Sequence, residues 1–211
     1  VFWWNKVATY AQRKPSPLNG FDLFNYMALI VCARARDYAE ITFHKFADEL
    51  EAKDAAGQYA FGAPENEKHR VTWEGIAVWT YLGATFKGLK NQGAVMTGSA
   101  YPGLWSLVYT PGDLESMAEA YTNVYINTCG PNRYEEFYKV VKNSKSDGIV
   151  LHLNRSCKLM GLLNNEGAEY VNAKLGVPYV SFDGDQTDPR VFTPAQYDTR
   201  VQALTEMMDE N

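Results

Sequence analysis

Apolar residues recur along the 211-residue chain with two different periods, and the changeover falls near residue 69. Ala39, Phe43, Phe46, Ala47 and Leu50 stand at i, i+4, i+7, i+8 and i+11, one stripe of a helix over about residues 37–53. His44, Lys45, Asp48 and Glu51 lie off that stripe and form its solvated side. Ile41 also lies off it, which points to a second neighbour there. Upstream, Asp22 is the candidate N-cap of a helix through Phe24, Met27, Ile30 and Val31. The Lys14-Pro15-Ser16-Pro17 stretch before it is incompatible with a helical interior, because proline lacks a backbone N–H and restricts its predecessor. Residues 1–60 therefore read as mostly helical. Residues 54–68, with Gly57, Gly62 and Pro64 among charges, read as a linker.

Beyond residue 69 short apolar runs alternate with amphipathic stretches. Arg70-Val71-Thr72-Trp73 predicts a strand, residues 79–90 a helix closed by Asn91-Gln92-Gly93, and Ala94-Val95-Met96-Thr97 a second strand. A helix started by Asp113 or a neighbour runs through Leu114, Met117 and Tyr121, and another spans about residues 132–142. Gly148-Ile149-Val150-Leu151-His152-Leu153 is continuously apolar enough for a strand buried on both faces. A helix over about residues 164–175 ends at Gly176, a residue suited to the left-handed position after a helix. Val177-Pro178-Tyr179-Val180-Ser181-Phe182 is the fourth strand, and Thr193-Pro194 opens a last helix to about residue 208. The alternation gives an α/β fold, a Rossmann-like parallel sheet of about four strands with helices on both faces, preceded by a small helical segment. The expected division is residues 1–68, helical segment and linker, and residues 69–211, the Rossmann-like domain.

Composition narrows the function classes. Hydrophobic residues at 46% and charged residues at 21% suit a folded protein with a sizeable core. A net charge of -5 argues against a nucleic-acid partner, and no apolar run approaches the roughly 18 residues of a membrane span. Aromatics at 14% suit packed interfaces or an apolar pocket. Cys32, Cys129 and Cys157 are odd in number and widely spaced, which disfavours a disulfide framework and predicts a reducing, cytoplasmic compartment. Val1-Phe2-Trp3-Trp4-Asn5-Lys6 is not a signal peptide and reads as the middle of a longer chain.

In open α/β sheets ligands bind beyond the carboxyl ends of the strands, where loops converge and helix N-termini point. Two loops stand out there: Asn154-Arg155-Ser156-Cys157-Lys158 after the third strand, and residues 183–190 after the fourth. Cys157, between Arg155 and Lys158 near the start of a helix, is placed to act as a thiolate, either a nucleophile or a soft metal ligand. A buried structural cysteine is the plainer alternative, and the cationic neighbours count against it. As a nucleophile it needs a base, for which His152 is the nearest candidate. As a metal ligand it is insufficient alone, since an iron–sulfur cluster takes about four ligands. Asp183, Asp185 and Asp188 lack a full calcium-loop pattern, so turns stabilised by Asp side chains and a local Asp188–Arg190 pair are expected instead. The five Trp residues are expected in the core, with Tyr101-Pro102-Gly103-Leu104-Trp105 a candidate pocket lining. The glycines form no dinucleotide fingerprint.

Asn154-Arg155-Ser156-Cys157-Lys158, Phe182-Asp183-Gly184-Asp185-Gln186-Thr187-Asp188-Pro189-Arg190 and Gln196-Tyr197-Asp198-Thr199-Arg200-Val201-Gln202 together resemble the 2-hydroxyglutaryl-CoA dehydratase / benzoyl-CoA reductase family, and most of all the α subunits of 2-hydroxyacyl-CoA dehydratases. The likeness takes in Val1-Phe2-Trp3-Trp4 and Arg70-Val71-Thr72-Trp73-Glu74-Gly75 as well, so it spans essentially the whole chain. The resemblance implies a subunit about twice this length, of which this chain is the C-terminal half. It implies a [4Fe–4S] cluster held by cysteines, with Cys157 the one metal ligand in this chain and Cys32 and Cys129 matching no ligand position. It implies radical elimination of water from a 2-hydroxyacyl-CoA through a ketyl, by a lyase inactive as this chain alone. Its implied partners are a second dehydratase subunit, an ATP-dependent iron–sulfur activator and the acyl-CoA substrate. Arg155, Ser156 and Lys158 are expected beside the cluster, Arg155 and Lys158 either as donors toward it, as contacts for the CoA phosphates, or as surface or interface residues. Three other readings stay open: a benzoyl-CoA reductase-type subunit, a cluster-free docking half-subunit, and a cysteine hydrolase using Cys157 with His152.

Overall fold

The computed structural model describes residues 1–210. Three helices, α1 (Phe2–Ala11), α2 (Phe21–Cys32) and α3 (Asp37–Ala55), come first. Then strands β1 (His69–Glu74), β2 (Ala94–Ser99), β3 (Gly148–Asn154) and β4 (Tyr179–Gly184) alternate with helices. These are α4 (Leu82–Asn91), α5 (Ala100–Gly103), α6 (Leu114–Thr122), α7 (Gly130–Ser144), α8 (Lys158–Leu175) and α9 (Pro194–Asp209). The sheet runs β2-β1-β3-β4 and every pair is parallel, as the alternation predicts.

Two apolar cores flank the sheet, and the alternation of side chains along each strand decides which core a residue joins. Val71, Trp73, Val150, Val180 and Phe182 meet Leu89 of α4, Tyr197, Val201 and Leu204 of α9, and Trp4, Phe24, Phe43 and Leu50 of α1–α3 in one continuous cluster. Ile149 and Leu151 face the other way, onto Phe137 and Val141 of α7 and Ala168 and Val171 of α8. Trp73 is the hinge of the first core, within 6.4 Å of the rings of Phe24 and Tyr197 and 5.4 Å of Phe21 and Phe182. Burying side chains of this size stabilises by roughly 2–3 kcal/mol each before entropy is counted.

The opposite side of β1 carries Arg70, Thr72 and Glu74, and the whole strand is nonetheless buried. Arg70 is neutralised by Glu67 and donates to the carbonyls of Arg13, Gln12 and Ser144. Residues 56–68 are mostly exposed apart from Phe61 and are tied down at a few points, with Ala60 N donating to Ser16 O and Lys68 N to Gly93 O.

Several boundaries differ from expectation. Asp22 sits inside the first turn of α2; Gly20 holds the N-cap position, and the Asn19 carboxamide oxygen accepts from Phe21 N. Ile41 is 52% exposed rather than covered by a second neighbour among the described residues. Strand β4 starts at Tyr179 rather than Val177, since Pro178 has no N–H for a ladder and offers its carbonyl to Ile149 N. Helix α8 begins at Lys158, about two turns earlier than its periodicity suggests, because Leu159 and Leu162 point outward and blur the stripe. Asp113 does cap α6, accepting from the backbone N–H groups of Glu115 and Ser116.

Candidate functional site at the carboxyl ends of the strands

After β1 the chain crosses to β2 on one side of the sheet, and β3 returns on the other side of β1. The crevice of such a sheet opens where the direction reverses, above the carboxyl ends of β1 and β3. Cys157 stands there as the N-cap of α8, extended at φ −124° and ψ 91°. Its N–H donates to Asn154 O at 3.1 Å, and its own carbonyl accepts from Gly161 N at 3.0 Å, which starts the helix. The thiol is free and half-buried, beside the positive end of the helix dipole.

Neighbouring β3 and β4 bring the two singled-out loops together. Asn154 and Gln186 bond twice, Asn154 Nδ2 to Gln186 Oε1 at 3.0 Å and Gln186 N to Asn154 Oδ1 at 3.2 Å. Arg155 N donates to Gly184 O, and Ser156 Oγ donates to the Asp185 carboxylate. Asp185 also accepts from the backbone N–H groups of Thr187 and Asp188, each at 2.9 Å. The Ser156 hydroxyl and these amides hold its carboxyl well below the usual carboxylate range. The Asp188–Arg190 pair forms locally as expected, and Arg190 holds the Asp188 carboxyl down at about 2. The acidic loop is thus a self-satisfied turn.

Arg155, Ser156 and Lys158 divide in role. Arg155 is exposed and turns its guanidinium to Asp183, Nε to Oδ1 at 2.9 Å. Ser156 is spent on the loop junction. Lys158 is exposed and makes no ion pair among the described residues. Tyr101, within the aromatic stretch marked as a pocket lining, comes near Cys157: burial raises its hydroxyl above the ordinary value, and negative charge on Cys157 raises it further. With Phe24 and Trp105 at 6.2 and 6.4 Å, Tyr101 forms an aromatic wall. Gly103 and Leu104 line a cleft of about 350 Å³ that reaches Tyr125.

His152 is not a base for Cys157. It is fully buried, stacked on Phe182 at 5.2 Å, with Nδ1 2.6 Å from Ile76 O and Nε2 without a partner. Burial lowers it from its ordinary value. The hydrolase alternative therefore loses the base it was given.

A second polar group lies under the crevice and was not singled out from the sequence. Glu74, the last residue of β1, is fully buried, and burial pushes its carboxyl up to about 7. Tyr125 donates to its Oε1 at 2.7 Å and Arg133 lies 3.9 Å away, while Oε2 has no partner. The available signal was an acid ending a strand whose other residues are buried.

Among the described residues no group of three His, Cys, Asp or Glu side chains could hold a metal ion. Cys32 and Cys129 are exposed, at the end of α2 and the start of α7. An iron–sulfur cluster takes about four ligands; Cys157 offers one thiolate, and no group among the described residues supplies the others.

Residues 3–208 match the family described as 2-hydroxyglutaryl-CoA dehydratase, D-component. The chain belongs to this dehydratase family. It is 62% identical, over all of its length, to the lactoyl-CoA dehydratase subunit alpha of Anaerotignum propionicum, of which it covers 50%. It is 42% identical over 99% of its length to the (R)-2-hydroxyisocaproyl-CoA dehydratase alpha subunit of Clostridioides difficile, covering 50% of that protein. Similarity to a benzoyl-CoA reductase polypeptide of Thauera aromatica is lower, 23% over 97% of the chain and 50% of the relative. The chain thus spans about half the length of the curated relatives it matches. No helix among its described residues is long and apolar enough to cross a membrane.

Proposed function

We propose that this chain is part of the α subunit of a cytoplasmic 2-hydroxyacyl-CoA dehydratase and supplies Cys157 as one ligand of a [4Fe–4S] cluster. The observation that carries the reading is a free, half-buried thiol at the head of α8, over the switch point of the sheet, in a chain 62% identical to a lactoyl-CoA dehydratase alpha subunit. Cys157 would hold the cluster together with ligands from the rest of the subunit, and the cluster would supply one-electron chemistry at the substrate thioester.

The chain's own residues shape the surroundings of that thiol. The junction of Ser156 with Asp185 and of Asn154 with Gln186 fixes the turn that carries Cys157. Tyr101, packed with Phe24 and Trp105, lends the crevice an aromatic wall. Lys158 offers an unpaired cation to the CoA phosphates. The partners of this reading are a second dehydratase subunit, an ATP-dependent iron–sulfur activator and the acyl-CoA, with lactoyl-CoA the first thioester to assay.

Anaerobic assembly with the remaining subunit polypeptide, followed by iron and acid-labile sulfide analysis, tests it. Cys157→Ser is expected to lose most of the iron, while Cys32→Ser and Cys129→Ser keep it. Full iron retention in Cys157→Ser overturns the assignment.

A further inference from the structure

The first two turns of α8 are held from below by a buried ionic knot. Glu74 ends β1, Arg133 projects from the first turn of α7, and Met160 and Asn164 follow Cys157 on α8. All four are at most 2% exposed. Arg133 Nη2 reaches Met160 Sδ at 3.0 Å, Asn164 Oδ1 at 3.3 Å and Glu74 Oε1 at 3.9 Å. Its guanidinium lies over the Tyr125 ring, 4.2 Å from the centroid. Met160 and Asn164 are three and seven residues beyond Cys157, on the same side of the helix.

Stability alone is a poor reason for this arrangement. Taking a carboxylate and a guanidinium out of water is repaid only when their geometry is close and every polar atom is satisfied. Here Glu74 Oε2, Arg133 Nε and Asn164 Nδ2 lack hydrogen-bond partners among the described residues. What the knot does achieve is orientation, since Arg133 grips α8 at two successive turns from a fixed point at the end of β1. The room beside it is also closed: a Cβ on Gly75 would stand 3.4 Å from Asn164 Nδ2 and 2.7 Å from His152 O.

We propose that Glu74, acting through Arg133, is a positioning residue for Cys157, anchoring the guanidinium that sets the orientation of the first two turns of α8. The purpose of this positioning rests on the reading of Cys157 as an iron ligand.

The test is cysteine-resolved alkylation of the metal-free full chain by iodoacetamide, quantified by mass spectrometry, with Cys32 and Cys129 as internal references. Glu74→Gln keeps the volume and the acceptor for Tyr125 while removing the charge. It is expected to speed alkylation of Cys157 about threefold or more relative to Cys32 and Cys129, as local opening of one helix end would. An unchanged ratio, or equal acceleration of all three cysteines, overturns the proposal. Should Glu74→Gln fail to fold, the double variant Glu74→Gln/Arg133→Met removes both buried charges, and a wild-type ratio there overturns it equally. Protection of wild-type Cys157 by iron loading is scored separately, after anaerobic assembly with the remaining subunit polypeptide: without it the ligand reading falls while the positioning result stands.

Discussion

The Ser156 hydroxyl donates to the Asp185 carboxylate, joining the loop that follows β3 to the loop that follows β4 one residue before Cys157. Asp185 is the centre of that junction, because the same carboxylate also caps the amides of Thr187 and Asp188. Replacing it by Ala leaves a serine and two backbone donors without their acceptor. Asp185→Ala is expected to lower the melting temperature by several degrees and to expose Cys157 to alkylation, whereas Asp183→Ala, which loses only an exposed pair with Arg155, is expected to change little.

The same carboxylate predicts the acid limb of stability. Its folded value lies below its ordinary 3.8, so its contribution is fully present above that value and is lost as pH falls toward the folded value. Melting curves of wild type and Asp185→Asn should therefore differ near neutrality and converge as the pH is taken well below 3.8.

Glu74 acts with the opposite sign. Burial raises it from 4.5 to about 7, so between those values the unfolded chain has released a proton that the folded chain still holds. Stability contributed by this group is full below about 4.5 and is lost as pH rises through about 7, a loss on the order of 3 kcal/mol over the whole window. His152, lowered from its ordinary 6.5 by burial, gains stability as pH rises toward 6.5 and so partly masks the effect. Urea titrations between pH 5 and 8 are expected to show Glu74→Gln gaining on wild type as pH rises. Parallel profiles would contradict the assignment of that carboxyl.

The fold was legible because its strongest signals are local. Gly148-Ile149-Val150-Leu151 needs two apolar faces, and a parallel strand between helices provides them. The start of α8 was hidden because Leu159 and Leu162 spend apolar side chains on solvent, 46% and 72% exposed. Cys157 was legible from its place between two cations after a buried strand. The fate of those cations was not, since Arg155 turns to Asp183, 28 residues away. Glu74 was illegible as a site for the same reason: its partner Tyr125 is 51 residues distant, and nothing local announces that a strand-end acid has no water. His152 misled in the other direction, because its nearness in sequence to Cys157 gave no hint that its ring lies flat on Phe182.

Gly75 marks how closely β1 and β3 approach at the crevice floor. It takes φ +102°, and a Cβ there would stand 2.7 Å from His152 O, a backbone atom that cannot move aside without disturbing β3. Gly75→Ala combines left-handed strain with a clash and is expected to cost about 2–4 kcal/mol in urea unfolding. Gly103→Ala is the control: nothing lies within 4 Å of its added methyl and its φ is unexceptional, so near-wild-type stability is expected.

Lys158 and Arg155 flank Cys157 with equal formal charge and unequal freedom. Arg155 is engaged by Asp183, so a CoA phosphate gains from it only by displacing a carboxylate. Lys158 has no such competitor, and it opens α8, where backbone N–H groups also favour an anion. A charge-assisted contact to phosphate is worth about 1.5–3 kcal/mol, so Lys158→Ala is expected to raise KM for the acyl-CoA about tenfold or more with kcat little changed. Arg155→Ala should raise it less. The difference is expected to shrink as salt is added, because screening weakens an exposed phosphate contact and the exposed Arg155–Asp183 pair alike. A kcat loss in Lys158→Ala without a KM change would instead place that ammonium with the reacting groups rather than with the CoA phosphates.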